Sequence, residues 1–136
     1  MQVDPRSTRF AAAVTTLILA LVLVTGNAWL LLAQSVVFGL GLAGASPYGL
    51  LFRRLVRPKL GPPAQMEDAV PPRFAQGVGL VFALVGVAGF AAQITPLALG
   101  ATAAALMAAF LNAAFGFCLG CETYLIIRRL MPAATP

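Results

Sequence analysis

The sequence predicts an all-α fold: an integral membrane four-helix bundle of two helical hairpins related by parallel duplication, with the N and C termini cytoplasmic. Three observations lead there. Hydrophobic residues make up 60% of the 136 and charged residues only 10%, against about half and about a quarter in soluble domains. The apolar residues form four long blocks without Asp, Glu, Lys or Arg, each near the roughly 17 to 25 residues a helix needs to cross hydrocarbon. The 9 basic residues gather at only three places, all outside those blocks.

Residues 1-136 are expected to form a single transmembrane domain. In lipid every backbone amide must bond within its own segment, which favours helices over residues 10-25, 28-45, 74-92 and 97-127. The first block has a basic start, as a signal peptide does, but Gly26 and Asn27 follow without an Ala-x-Ala exit, so it is expected to remain as a helix. Residues 46-73 form the cytoplasmic loop. Its first part, SPYGLLFRRLVRPKL, reads as a short interfacial helix or the frayed end of helix two, with Leu50, Leu51, Leu55 and Val56 on the apolar face and Phe52 near its edge. Its second part, GPPAQMEDAVPPR, has paired prolines that resist regular structure. In helix three, Gly79, Gly86 and Gly89 allow close approach, and Ala101, Ala105, Ala109 and Ala113 recur every fourth residue along helix four.

Charge orients these spans. Arg6 and Arg9, the central set from Arg53 to Arg73, and Arg128 with Arg129 would all lie on one side, and the two uncharged turns on the other. The positive-inside bias makes the basic side cytoplasmic, in a bacterial cytoplasmic (inner) membrane. The net charge of +5 then reflects topology and attraction to anionic headgroups, and no nucleic-acid partner is needed to explain it. Arg53, Arg54, Arg57 and Lys59 form a candidate docking patch for lipid or a partner.

The halves resemble one another. RFAAAVTTLILALV from Arg9 matches RFAQGVGLVFALVG from Arg73, and YGLLFRRLVRP from Tyr48 matches YLIIRRLMP from Tyr124. Such a repeat, each half crossing twice from the same side, implies a pseudo-twofold along the membrane normal. Aligning the Arg-Arg pairs sets Cys118 opposite Ala43 and Cys121 opposite Ser46.

Several chemistries are excluded. The chain has no histidine, which removes His-based triads and His-ligated haem, copper or zinc. Its glycines lack the strand-loop-helix setting of a phosphate loop, and no charged residue lies within the apolar runs, the last of which ends at about Leu119, to relay protons. No cofactor is expected. Gln34, Gln76 and Asn112 are expected to bond between helices.

What remains is FGFCLGCETY at residues 115-124, holding both cysteines. If helix four runs on, Cys118, Cys121 and Glu122 share one face near the cytoplasmic boundary. Three readings stay open: small buried hydrophobes, part of a metal site shared with outside ligands, or a redox or sulfur-carrying dithiol. In the cytoplasm a disulfide would be transient rather than structural. The pair would sit at a helix end without neighbouring strands, unlike a thioredoxin-type site.

VDPRSTRFAAA, SPYGLLFRRLVRPKLGPP, PPRFAQGVGLVFALVG and FGFCLGCETY together resemble an actinobacterial membrane family catalogued as domain of unknown function 4395, over nearly the whole chain. Members occur beside thioredoxin-like and rhodanese-type sulfurtransferase proteins. The resemblance implies that Cys118 and Cys121 handle thiols or sulfane sulfur with such a soluble partner, Glu122 accepting a proton. The alternative is a non-catalytic accessory subunit of a larger membrane complex or a homo-oligomer, with the cysteines as packing residues. In neither reading is the active site self-contained.

Overall fold

Runs of Ala, Leu and Val without internal charge satisfy their own backbone as helices, and that is what a computed structural model of the protein contains. It describes residues 2–3, 5–44, 47–60, 67–68 and 70–130. The order is β1 (Gln2–Val3), α1 (Pro5–Thr25), α2 (Ala28–Leu42), α3 (Pro47–Leu51), a π-helical stretch Phe52–Val56, α4 (Arg57–Leu60), β2 (Glu67–Asp68), α5 (Val70–Ala91), α6 (Thr95–Phe115) and α7 (Leu119–Leu130). The two strands make one short antiparallel pairing, Gln2 opposite Asp68 and Val3 opposite Glu67. The other elements are helical.

Among the described residues three helices are long and apolar enough to cross a membrane: α1 over Arg6–Thr25, α5 and α6. At 15 residues, α2 is short for a span. It reaches span length only together with Pro47–Val56, which is bent from it by 77°.

Local chemistry sets the ends. Gly26 has φ +65°, and the Asn27 side chain then accepts the N–H groups of Trp29 and Leu30 at 3.0 and 3.3 Å, a standard N-cap. Pro96 falls in the first turn of α6, where a missing N–H costs nothing. The same rule corrects the loop expected up to residue 73: α5 already begins at Val70 and takes Pro71 and Pro72 into its first turn. Residues 61–66 of that loop lie outside the described residues. Within the helices, the hydroxyls of Thr16, Ser35 and Thr102 donate to the carbonyls four residues back, at 2.7, 3.0 and 2.8 Å, so they need no partner in an apolar setting.

α1 lies along α6, α2 along α5, and α5 also packs on α6 and α7. Leu19, Val22, Leu31, Phe38, Ala83 and Ala105 form the core. Close approach of α5 to α6 depends on Gly89, where a Cβ would lie 2.8 Å from the Ala98 backbone nitrogen. Gln34, 1% exposed, behaves as expected of an interhelix amide: its Nε2 donates to Thr15 Oγ1 at 3.4 Å and its Oε1 accepts from the Tyr48 hydroxyl at 2.7 Å.

One set of contacts occurs twice. Arg9 donates to the carbonyls of Ala113 and Ala114 at the end of α6, beside the left-handed Gly116. Arg73 donates to the Leu42 carbonyl at the end of α2, beside the left-handed Gly44. Next in sequence, Phe10 stacks on Phe52 at 5.7 Å and 49°, and Phe74 on Tyr124 at 5.6 Å and 51°. Counting from the two glycines, Cys118 corresponds to Ser46 and Cys121 to Gly49. This corrects the Arg-Arg register, which paired them with Ala43 and Ser46. The cause is local: Phe52, and not the Leu50–Leu51–Leu55 face, is the buried anchor of its segment.

The largest departure from expectation is in the last helix. The single helix 97-127 is two: α6 stops at Phe115 and α7 begins at Leu119.

Candidate functional site

The break is made by Gly116. At φ +69° it takes the left-handed turn that a glycine adopts without strain, and the N–H groups of Gly116 and Phe117 donate back to Asn112 and Leu111. The chain then restarts a helix at once. Cys118 occupies the capping position of α7: its carbonyl accepts the Glu122 N–H at 3.0 Å and its Sγ accepts the Cys121 N–H at 3.1 Å. The expectation of a pair at a helix end is therefore reversed. The first sulfur sits at a helix start, where it accepts one of the free N–H groups of the first turn.

Cys118 and Cys121 are joined as a disulfide, with Cα atoms 5.2 Å apart. The Cys-x-x-Cys spacing spans the first turn of α7 and brings the sulfurs together there. Both residues are half-buried, while Glu122 is exposed beside them.

α7 is held against α5 by a close contact and an aromatic pair. At Gly120 a Cβ would lie 2.5 Å from Ala75 Cβ and 2.6 Å from Ala75 Cα, so only glycine lets the helices approach this far. One turn on, Tyr124 packs on Phe74 and accepts a hydrogen bond from Arg128 at 3.0 Å. No residue of α7 is fully buried. It lies on the others as an amphipathic arm.

Behind the disulfide is a cavity of about 750 Å³. α1 contributes Arg9, Ala12 and Thr15 to its wall, α5 contributes Gln76, Val78 and Phe82, and α6 contributes Ala104, Ala108 and Asn112; α7 closes one side with Cys118, Cys121 and Glu122. Of the small-residue series, Ala109 lines this space and Ala105 stands between it and the core.

The structure therefore brings Cys118, Cys121 and Glu122 together on one wall. It does not bring the basic patch there: Arg53, Arg54 and Lys59 are exposed on the segment after α3 and, among the described residues, the cavity wall includes none of them. The Arg57 side chain lies outside the described residues. Among the described residues no three His, Cys, Asp or Glu side chains cluster as metal ligands. Sequence reasoning missed Gly116 as a helix terminator and Arg9 as a cavity residue. The signal for the first was Gly116 itself, directly before the Phe-Cys step.

The profile of a family described as a domain of unknown function, DUF4395, matches residues 3–129. The chain belongs to that family. Neither a curated protein nor a solved structure matches it. The DUF4395 match runs from before Arg9 to Arg129, so every residue of the cavity and the disulfide lies within the family's own region.

Proposed function

We propose that this DUF4395 chain is a bacterial inner-membrane protein of four crossings that exchanges electrons between the Cys118–Cys121 pair and a soluble thioredoxin-like or rhodanese-type partner at the cytoplasmic face. The observation that carries the reading is a disulfide across the first turn of α7, with its leading sulfur at the helix N-terminus and its wall open to a cavity. Helix N-termini favour the thiolate, the attacking form in exchange.

In this scheme reduced Cys118 attacks a partner disulfide. A Cys118–partner bond forms, the partner's S–S bond breaks, and one partner thiolate leaves. Cys121 then loses its proton to Glu122 and attacks the Cys118 sulfur, closing the intramolecular disulfide and releasing the partner as a dithiol. Two electrons pass from the chain to the partner, and the reverse sequence reduces the chain. Sulfane-sulfur handling by the same pair rests on the family resemblance alone.

The orientation rests on charge. Arg9 and Arg73 belong to helix ends that their own caps tie to one side, with the ends of α6 and α2, and basic ends favour the cytoplasm. The repeated caps and aromatic pairs support the duplicated hairpins. The exposed Arg53, Arg54 and Lys59 supply docking charge for anionic lipid or the partner.

The test is trapping. Cys121→Ser should accumulate a mixed disulfide with a cytoplasmic thioredoxin-like or rhodanese-type protein, and Cys118→Ser should not. No adduct, together with a pair that never changes oxidation state in cells, would overturn the reading. Stoichiometric co-purification with a membrane complex and a harmless double Cys→Ala change would make the chain an accessory subunit instead.

A further inference from the structure

We propose that the cavity behind Cys118–Cys121 binds a membrane-dissolved quinone, which accepts the two electrons and two protons released when the pair closes. The inference rests on the redox reading above and names the second reaction partner.

Depth is the first argument. The wall extends from Asn112 to Ala104 on α6, about 12 Å at 1.5 Å per residue, and ends against the core residues Phe38 and Ala105. A docked soluble protein would meet the mouth, marked by Arg9 and Glu122. The inner part suits a small molecule, and about 750 Å³ lies within the usual 300–1,000 Å³ range of ligand sites.

Chemistry is the second argument. The inner wall is apolar: Ala12, Val78, Phe82, Ala104 and Ala108. It holds no charged side chain, which disfavours an anionic substrate such as a free persulfide or a phosphate. Two amides, Gln76 and Asn112, face the space and, among the described residues, form no hydrogen bond. An NH₂ donor from α5 and another from α6, set beside an apolar wall, can hydrogen-bond the carbonyl oxygens of a quinone.

Stoichiometry is the third argument. Closing a dithiol releases two electrons and two protons, and a quinone takes up both as a quinol. Two S–H bonds break, one S–S bond forms, and two O–H bonds form on the acceptor. No other co-reactant is needed. Glu122, beside Cys121, provides a carboxylate through which protons leave the thiols. The chain would then link soluble thiols at its mouth to the quinone pool of the bilayer.

The test uses the full chain in lipid nanodiscs, reduced and freed of reductant, then mixed with decylubiquinone. Quinone absorbance and free thiols are followed together, and closure by oxidised thioredoxin serves as the reference rate for each variant. The expected result is one quinol per disulfide closed, none in Cys118→Ala. Asn112→Leu and Gln76→Leu should each raise the half-saturating quinone concentration roughly three- to tenfold, the effect of one hydrogen bond. Ala108→Trp, which fills the cavity, should lower the quinone-to-thioredoxin rate ratio by at least about tenfold. Thioredoxin-driven closure without quinone reduction would overturn the quinone site and leave the exchange reading standing. Quinone reduction indifferent to Asn112→Leu, Gln76→Leu and Ala108→Trp would overturn its placement in the cavity. No closure by either oxidant would overturn both readings.

Discussion

Replacing Gly120 with alanine should undock the arm that carries the dithiol. The new Cβ would lie 2.5 Å from Ala75 Cβ and 2.6 Å from Ala75 Cα, whereas carbon atoms rest about 3.5–4.0 Å apart. α7 must therefore retreat from α5 by roughly 1 Å. Neither of these atoms is the end of a flexible side chain, so the strain has no cheap outlet. Overpacking of this kind costs about 1–3 kcal/mol, and the better helix propensity of alanine returns about 1 kcal/mol. The net is on the order of 1 kcal/mol against docking, a roughly fivefold rise in the undocked population. Hydrogen exchange of the α7 amides in nanodiscs reads that population, because opening of a weakly packed arm is local. Ala75→Gly in the Gly120→Ala background removes the opposing methyl and should recover part of the loss, a coupling that a double-mutant cycle isolates. Slower α7 exchange in Gly120→Ala, or no recovery by Ala75→Gly, would refute the contact as the anchor.

Other changes probe the remaining features. Gly116→Ala should destabilise the protein by about 1–2 kcal/mol, because φ +69° is strained for any residue with a Cβ; Gly116→Asn should cost less, and denaturant unfolding in detergent compares the two. Tyr48→Phe leaves the Gln34 Oε1 without its 2.7 Å donor and should cost on the order of 0.6–1 kcal/mol, read the same way against Gln34→Leu, whose effect should not add to it. Arg9→Ala and Arg73→Ala each remove a side-chain donor from a helix C-terminus and should lower stability by similar small amounts, a few tenths of a kcal/mol; a difference above about 1 kcal/mol would contradict their equivalence.

Composition was enough to read the helical, membrane-spanning class, because apolar runs of span length have few alternatives in lipid. Gln34 as an interhelix amide was legible for a similar reason: a buried amide needs partners. The path of the chain around the cysteines was not. Gly116 lies in an otherwise helical pattern, and whether such a glycine packs within a helix or ends it depends on the tertiary contacts it meets. Here Arg9, about a hundred residues earlier, occupies the freed carbonyls. That long-range cap turned a presumed helix end into a helix start and changed the electrostatic setting of Cys118. The Arg-Arg register failed because Phe52 and Tyr124, which fill equivalent places against Phe10 and Phe74, differ in their distance from the arginines. The cavity had no sequence signature, since alanines that line space and alanines that fill a core look alike.

The central claim is that Cys118 and Cys121 cycle between dithiol and disulfide while the chain works. Differential alkylation of the two thiols in intact cells, sampled before and after a brief oxidant or reductant challenge, tests it most directly. The account predicts that both forms are present and interconvert within the challenge, with Cys118 the faster to alkylate. A pair found in one state throughout would contradict it.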